Sequence, residues 1–169
     1  MLISKNFSTV FILLLTTLIS ACGELPVRST QSRTAFDLSE QDVGRDEVRY
    51  QVIMTAASML GTPYKWGGMT PSEGFDCSGL VHYSYLQAGI ELPRTSFQQY
   101  NYSQAVRLKT LKPGDLLFFD LNNERVSHVG IYLGDYRFVH APRTGKDVMI
   151  TSLDNQYWKQ RLVSAGRVI

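Results

Sequence analysis

Phe75-Asp76-Cys77-Ser78-Gly79-Leu80 is the stretch that decides the fold, because a glycine-rich segment precedes it and an apolar run with helical spacing follows it. Asp76 is a favourable N-cap residue, so the sequence predicts a helix that begins at Cys77 and ends near Gly89. A thiol there faces unsatisfied backbone N–H groups and the positive end of the helix dipole. Both favour the thiolate, so we expect a lowered pKa for Cys77 and a nucleophile that needs a base nearby.

Patterns on both sides of this stretch predict an α+β domain. Apolar residues between Asp46 and Leu60 recur at helical spacing, and Thr95 or Ser96 can cap a short helix that runs to about Tyr102. Five short apolar segments then follow, which we expect to be strands: Leu116–Phe119, Val126–Leu133, Arg137–Ala141, Val148–Ser152 and Leu162–Val168. Helices first and short strands afterwards predict N-terminal helices packed on an antiparallel meander of about five strands.

Composition sets the outer limits of the function. The chain has 169 residues, of which 44% are hydrophobic and 19% charged, so one domain with a real core is expected over residues 43–169. The formal net charge of +2 is too small to argue for a nucleic-acid partner. We see neither an internal repeat nor a second domain, and we expect a monomer.

The beginning of the chain resembles a bacterial lipoprotein signal. Lys5 supplies the positive charge, and Val10–Leu18 is apolar but too short to span a bilayer. Small residues then precede Cys22, so we expect residues 1–21 to be removed and Cys22 to be acylated, which would attach the protein to a membrane. An ordinary signal peptide and an uncleaved anchor are the alternatives.

The segment after the lipidation site bears on location. Residues 22–42 are polar and show no period, so we interpret them as the lipidated cysteine and a flexible tether. Gly23 follows Cys22, whereas lipoproteins kept at the inner membrane usually carry Asp there. If the organism is Gram-negative, this predicts the outer membrane, facing the periplasm.

The cysteine count then isolates one thiol. The chain has two cysteines, and lipidation of Cys22 leaves Cys77 without a partner in an oxidising compartment. Such a thiol is either buried and inert or kept because it reacts. A lone cysteine is more often inert, but the helix start around Cys77 favours the reactive alternative.

Two of the three histidines can serve this thiol. His128 and His140 lie on neighbouring predicted strands, and each would, alone, more often be a hydrogen-bonded core residue. Together with Cys77 they supply a nucleophile, a base and a group that orients the base. His82 lies five positions after Cys77 on the same helix, so it points elsewhere and is expected to be packing or surface.

The turn between the two strands tests this assignment. A plain two-residue turn would pair Leu133 with Tyr136 and place His128 and His140 on opposite faces of the sheet. A Cys–His–His triad therefore requires a three-residue turn or a bulge near residues 134–136.

A series of motifs in this order resembles the NlpC/P60 family of cell-wall cysteine peptidases. The resemblance runs from about Asp46 to the end of the chain. It is carried by Gly-Thr-Pro-Tyr-Lys-Trp-Gly-Gly (61–68), Phe-Asp-Cys-Ser-Gly-Leu (75–80), Leu-Pro-Arg-Thr-Ser (92–96), Pro-Gly-Asp-Leu-Leu-Phe-Phe (113–119), His-Val-Gly-Ile-Tyr-Leu-Gly (128–134) and Phe-Val-His-Ala (138–141).

The resemblance implies a papain-like α+β fold and cleavage of peptide bonds in peptidoglycan stems or cross-links. It makes Cys77 the nucleophile, His128 the base and His140 the residue that orients it, and it places Tyr64 at the cleft, where its hydroxyl can help to hold the oxyanion. Peptidoglycan is then the partner, and the D-Ala–diaminopimelate cross-link is the favoured bond.

Two weaker site predictions accompany the triad. Arg94 can grip a substrate carboxylate as a bidentate pair, or it can be a solvated loop charge. Ser78 can contact substrate beside the nucleophile, or it can cap helix N–H groups. No pair among the free cysteine and the histidines has the usual ligand spacing, so we expect neither a metal nor a cofactor.

Two other functions remain open from the sequence. The protein could be a catalytically silent member that acts as a wall-binding or adaptor lipoprotein. The same triad could also support an acyltransferase or an amidase that acts on another substrate.

Overall fold

The computed structural model describes residues 40–123 and 125–169, with side chains from residue 44 onward. The predicted signal peptide, the lipidated Cys22 and most of the predicted tether lie outside the described residues. Within the described part of the chain, no helix combines the length and apolar character that crossing a membrane demands.

Four α-helices, one short 3₁₀ helix and eight strands form the described domain. The helices are α1 (Glu40–Ser58), α2 (Cys77–Gln87), α3 (Ser96–Tyr102) and α4 (Gln156–Lys159), with the 3₁₀ turn at Leu108–Thr110. The strands are β1 (Met69–Thr70), β2 (Gly74–Phe75), β3 (Gln104–Val106), β4 (Leu116–Phe119), β5 (His128–Gly134), β6 (Arg137–His140), β7 (Met149–Ser152) and β8 (Leu162–Arg167).

The main sheet has six strands, in the order β3-β8-β4-β5-β6-β7, and each neighbouring pair is antiparallel. The predicted α+β class with helices packed on an antiparallel sheet is therefore confirmed. The meander holds only from β4 to β7, because β8 returns to lie between β3 and β4. The sixth strand, β3, was missed because its three residues, Gln104 to Val106, lie at an exposed edge and show no apolar alternation.

The observed helix starts match the predicted ones where a capping residue is present, and they differ from the prediction where the first turn is polar. α2 begins at Cys77 behind the Asp76 cap, and Thr95 caps α3 with a reciprocal capping box to Gln98. α1 begins at Glu40, earlier than the predicted start near Asp46, because its polar first turns carry no apolar period. The β1–β2 hairpin and α4 are too short for periodicity to reveal them.

The main sheet has a core on each face. One face packs with α1 and α2 through Val52, Ala56, Phe75, Leu80, Val81, Tyr85, Leu116, Phe118, Val129, Ile131 and Val139. The other face packs Leu117, Phe119, Tyr132, Phe138, Leu153 and Ala165 together with the half-buried Trp158 of α4. Because successive side chains of a strand point to opposite faces of the sheet, alternate residues of each strand belong to the two cores.

The hairpin that joins β5 to β6 contains the bulge that the triad requires. Ile131 pairs with Val139, but Gly134 pairs with Arg137, so the register shifts by one residue between Tyr132 and Gly134. The shift places His128 and His140 on the same face of the sheet. The condition that the triad sets on this turn, a bulge or a three-residue turn, is therefore met.

Candidate active site

The start of α2 is held by the Asp76 carboxylate. Its Oδ1 accepts from the backbone N–H of Gly79 at 2.7 Å and from the Ser78 hydroxyl at 3.1 Å, and its Oδ2 accepts from the backbone N–H of Gly67 at 3.0 Å. Asp76 thus caps the helix and also ties the preceding glycine loop to it. Cys77 follows as the first helical residue, as the sequence predicts.

Glycine at position 79 allows the loop to approach this closely. A Cβ there would lie 2.1 Å from the carbonyl oxygen of Gly68, which itself accepts from the backbone N–H of Asp76 at 3.0 Å. Any larger side chain at position 79 would push the loop away from the nucleophile.

Arg94 forms a fork on the same carboxylate. Its two terminal nitrogens lie 3.0 Å from Oδ1 and 2.6 Å from Oδ2 of Asp76, and one also donates to the Ser78 hydroxyl at 3.0 Å. Arg94 is therefore not a solvated loop charge. A carboxylate-binding role for Arg94 stays a prediction, and so does a substrate contact by the buried Ser78.

Gln99 of α3 links the start of α2 to the loop that carries Arg94. Its fully buried amide nitrogen donates to the carbonyl of Ser78 at 3.0 Å and to the carbonyl of Pro93 at 2.9 Å. The start of α2 and the loop that carries Arg94 thereby share one anchor. No local sequence pattern around Gln99 signals this contact.

His128 and His140 form a hydrogen-bonded pair. The Nε2 atom of His128 lies 2.9 Å from the Nδ1 atom of His140, both residues are almost fully buried, and His140 Nε2 lies 3.0 Å from the Thr151 hydroxyl. Because Nε2 of His128 is engaged in this way, its Nδ1 is the nitrogen left for another partner.

An aromatic cluster encloses the pair. The Trp158 ring lies with its centroid 4.7 Å from that of His140 and 5.3 Å from that of His128, and Phe119 and Phe138 pack against the same rings. Trp158 was not predicted as a site residue, because α4 has only four residues and shows no helical period. Asn155, which caps α4 by accepting from the backbone N–H of Tyr157 at 2.9 Å, was the available signal.

Cys77 and His128 open into one cleft of about 550 Å³. Its lining includes Tyr64, Trp66, Asp76, Cys77, Ser78, Arg94, Leu121, Ser127, His128 and Pro142. The backbone N–H groups of Val129 and Ser78 lie near enough to the Cys77 sulfur to oppose the rise of its pKa, so the sulfur lies beside the first residues of β5. The predicted nucleophile and base therefore share a cavity that substrate can enter.

The charge state of the free site differs from the sequence expectation. Burial, followed by the Asp76 charge, raises the pKa of the Cys77 thiol to about 11, despite the two backbone N–H groups and Arg94. The predicted lowering is wrong for the free site, because desolvation at the cleft floor outweighs the helix start.

Burial acts on the histidines in the opposite direction. It lowers the pKa of His128 to about 3, although the Asp76 charge opposes this, and together with the His128 charge it lowers the pKa of His140 to about 2. In the free site, burial thus favours a thiol and two neutral imidazoles over an ion pair.

Tyr64 and Trp66 both reach the cleft. Burial and then the charges of Cys77 and Asp76 raise the pKa of Tyr64, so its hydroxyl remains a hydrogen-bond donor at neutral pH. Trp66 is 84% exposed at the rim, which makes it a cleft wall and not a core aromatic. His82 points away, as predicted, with Nδ1 2.7 Å from the carbonyl oxygen of Leu92.

Among the described residues, His, Cys, Asp and Glu side chains do not gather in groups of three or more that could hold a metal ion.

Relatives of known name match the part of the chain that builds this cleft. A murein DD-endopeptidase of Escherichia coli (MepH) is 44% identical over 114 residues, covering 65% of this chain and 42% of that protein. A bifunctional muramidase/DL-endopeptidase of Bacillus subtilis (CwlT) is 40% identical over 122 residues, covering 70% of this chain and 36% of that protein. The chain thus spans less than half the length of either relative.

A solved structure has the same fold. The peptidoglycan hydrolase RipB of Mycobacterium tuberculosis superposes with a TM-score of 0.65 at 30% identity, covering 78% of this chain and 69% of that chain. The family model described as NlpC/P60 matches residues 61–167, which include α2, the six strands of the main sheet and the histidine pair. A match over that much of the chain, on the elements that position Cys77 and His128, shows that this protein belongs to the NlpC/P60 family.

Proposed function

We propose that this protein is a cysteine-type peptidoglycan endopeptidase that hydrolyses peptide bonds of murein stems or cross-links. Cys77 is the nucleophile, His128 the base and His140 the group that orients the base. The observation that carries the proposal is the 2.9 Å contact between His128 and His140, in a pair whose base opens into the same cleft as the thiol. Relatives named as murein DD-endopeptidase and DL-endopeptidase support the substrate class.

The first chemical step follows from the charge state of the site. Since Nε2 of His128 is bonded to His140, Nδ1 receives the thiol proton as the Cys77 sulfur attacks the carbonyl carbon of the scissile amide. His140 supports the imidazolium that forms, in the role that the third group has in such triads.

Hydrogen-bond donors near the sulfur can then hold the oxyanion. The backbone N–H groups at the start of α2 and the Tyr64 hydroxyl lie around the cleft floor. Loss of one such donor typically costs about 2.7–4 kcal/mol in transition-state stabilisation. His128 next gives its proton to the leaving amine, and a water molecule that is activated by the same ring hydrolyses the thioester.

The favoured bond is the D-Ala–diaminopimelate cross-link. Its support is the similarity to a protein named as a murein DD-endopeptidase, while the DL-endopeptidase among the relatives keeps the stem bond as the alternative. Trp66 and Tyr64 would contact the stem peptide at the cleft wall.

Attachment to a membrane is a separate part of the proposal. Its support is the sequence alone: the apolar segment before Cys22 and the polar residues after it. We propose acylation of Cys22, a monomeric catalytic domain and, in a Gram-negative cell, the periplasmic side of the outer membrane. Cys22→Ser should move the protein from the membrane fraction to the soluble fraction, and its retention in the membrane would contradict the anchor.

Digestion of purified sacculi tests the activity. The protein is incubated with sacculi, the material is then solubilised with a muramidase, and the muropeptides are resolved by mass spectrometry. We expect cross-linked dimers to decrease and monomers to increase, with Cys77→Ala and His128→Ala inactive and folded. Unchanged muropeptides that are still bound by the protein would support the silent wall-binding alternative instead.

The same digest separates the remaining alternatives. Shortened stems with intact cross-links would assign the stem bond. Release of a labelled acyl group from a generic amide or thioester donor, without any change to sacculi, would identify an acyltransferase or amidase.

A further inference from the structure

Thr151 continues the line of hydrogen bonds beyond His140. Its hydroxyl oxygen lies 3.0 Å from Nε2 of His140, whose Nδ1 lies 2.9 Å from His128. Thr151 belongs to β7 and pairs with Phe138 of β6, so its side chain shares the sheet face of His140. Sheet register, and not a loop, therefore sets the position of this hydroxyl.

The hydrogen bond between the two rings permits only two proton arrangements while both are neutral. In the first, Nε2–H of His128 donates to Nδ1 of His140, so Nδ1 of His128 is bare and can take the Cys77 proton. In the second, Nδ1–H of His140 donates to His128, whose own proton then sits on Nδ1 and blocks that transfer. The position of one proton thus decides whether His128 can act as a base.

The first arrangement places a proton on Nε2 of His140, where Thr151 is the acceptor. His140 is only 1% exposed, and the rings of Phe138 and Trp158 pack against it at centroid distances of 4.7 Å each. The Thr151 hydroxyl can accept from this N–H in the first arrangement or donate to the bare Nε2 in the second. It favours the first, because a buried N–H group left without an acceptor costs more than a bare ring nitrogen left without a donor. The same acceptor is needed again once His128 is an imidazolium, because its Nε2–H must then donate to His140.

We infer that Thr151 is a positioning residue: by accepting from Nε2–H of His140, it keeps both imidazoles in the tautomer that leaves Nδ1 of His128 free for the thiol proton. The inference rests on the proposed function only in taking Cys77 as the nucleophile. Thr151 does not touch substrate and acts through the two rings.

The test compares three substitutions in the full protein. Thr151→Val keeps the shape and removes the acceptor, Thr151→Ser keeps the acceptor, and Thr110→Val makes the same change at an exposed hydroxyl that bonds to the Arg107 carbonyl. For Thr151→Val we expect kcat on sacculi to fall about 10- to 100-fold, as for other groups that orient a functional histidine, with KM within about twofold. Thr151→Ser and Thr110→Val should retain kcat.

A readout that needs no turnover separates this inference from the peptidase assignment. In ¹⁵N-labelled protein, NMR distinguishes a protonated from a bare imidazole nitrogen, and we expect Nε2–H on both His128 and His140 in the wild type and in Thr151→Ser. In Thr151→Val the proton of His140 should shift toward Nδ1. Nδ1–H on His140 in the wild type, or tautomers and kcat unchanged by Thr151→Val, would overturn the inference. A protein that is inactive on sacculi yet shows this tautomer shift would refute the peptidase proposal alone.

Discussion

Both terminal nitrogens of Arg94 contact the two carboxylate oxygens of Asp76, at 3.0 and 2.6 Å. The fork couples the loop of Arg94 to the cap that fixes the start of α2. We expect Arg94→Ala to lower kcat/KM about tenfold, because Asp76 loses its orientation, and to lower the free energy of unfolding by roughly 1–2 kcal/mol. Steady-state kinetics and urea unfolding measure the two effects.

Two further variants sharpen this prediction. Arg94→Lys keeps the charge but cannot form the fork, so it should resemble Arg94→Ala if orientation matters. Arg107→Ala, at an exposed arginine outside the cleft, is the control. If only KM rises in Arg94→Ala, the residue binds a substrate carboxylate instead of orienting Asp76.

The raised pKa of the Cys77 thiol predicts how alkylation of the free protein depends on pH. Only the thiolate reacts, and the thiol stays protonated below its pKa of about 11. The rate with iodoacetamide should therefore rise through pH 8, 9 and 10 and level off only near pH 11. A rate that is already constant below pH 7 would show a preformed thiolate–imidazolium pair.

The Trp158 ring packs against both rings of the histidine pair. Trp158→Ala should admit water, so the pKa of His128 should rise from about 3 toward its usual range, since burial is what lowers it. NMR titration of the imidazole resonances between pH 2 and 8 measures this change. The variant should also lose about 3 kcal/mol of unfolding free energy, the lower end for a large aromatic, because the residue is half-buried.

Trp158→Phe is the matched comparison, because it keeps an aromatic ring against His140. Its imidazole titration should stay close to that of the wild type. An unchanged His128 pKa in Trp158→Ala would mean that the surrounding phenylalanines alone exclude water.

The contact of Gly79 with Gly68 predicts a strong effect from a single methyl group. Gly79→Ala forces its Cβ against the Gly68 carbonyl oxygen, so we expect a loss of about 1–3 kcal/mol in unfolding free energy and reduced kcat. Gly44→Ala is the control, since a Cβ there meets nothing within 4 Å inside α1. That variant should be about 0.5–1 kcal/mol more stable.

A buried ion cluster whose residues do not line the cleft predicts an effect on stability without one on chemistry. The side chain of Asp115 is fully buried and meets Arg167 at 2.6 Å and Arg49 at 3.5 Å. Asp115→Asn should lower the free energy of unfolding by about 3–5 kcal/mol, because two cations then lack their partner. Activity measured well below the melting temperature should persist.

The exposed pair of Asp135 and Arg137 supplies the control, because its carboxylate is 87% exposed. Asp135→Asn should leave thermal unfolding unchanged. Equal effects of the two aspartate substitutions would show that burial does not determine how much each ion pair contributes to the free energy of unfolding.

Much of this molecule could be predicted from local sequence. Asp76 as a cap and the strand Leu116–Phe119 follow from rules that act within a few residues. The bulge between β5 and β6 was expected only because the triad requires both histidines on one face of the sheet. Elements that depend on distant partners were missed. β3 exists because β8 pairs with it, and Gln99 matters because two separate carbonyl groups converge on its amide.

The charge state of the site was missed for a related reason. The helix start at Cys77 is a local feature and favours the thiolate, whereas burial by strands and loops far along the chain favours the thiol. The effect of Trp158 on the histidines is likewise a tertiary one. A sequence shows which groups can react, while the packing around them sets their protonation.

Because of the bulge at residues 132–134, the geometry of the catalytic histidines depends on the number of residues in a surface hairpin. Loops at a protein surface usually accept insertions and deletions over evolution. Here, removal of a single residue would shift the register of β6 by one and exchange its two faces. Val139, not His140, would then lie on the face of the sheet that carries His128. We would therefore look for length conservation at this hairpin among descendants of this chain, even where the residues themselves drift.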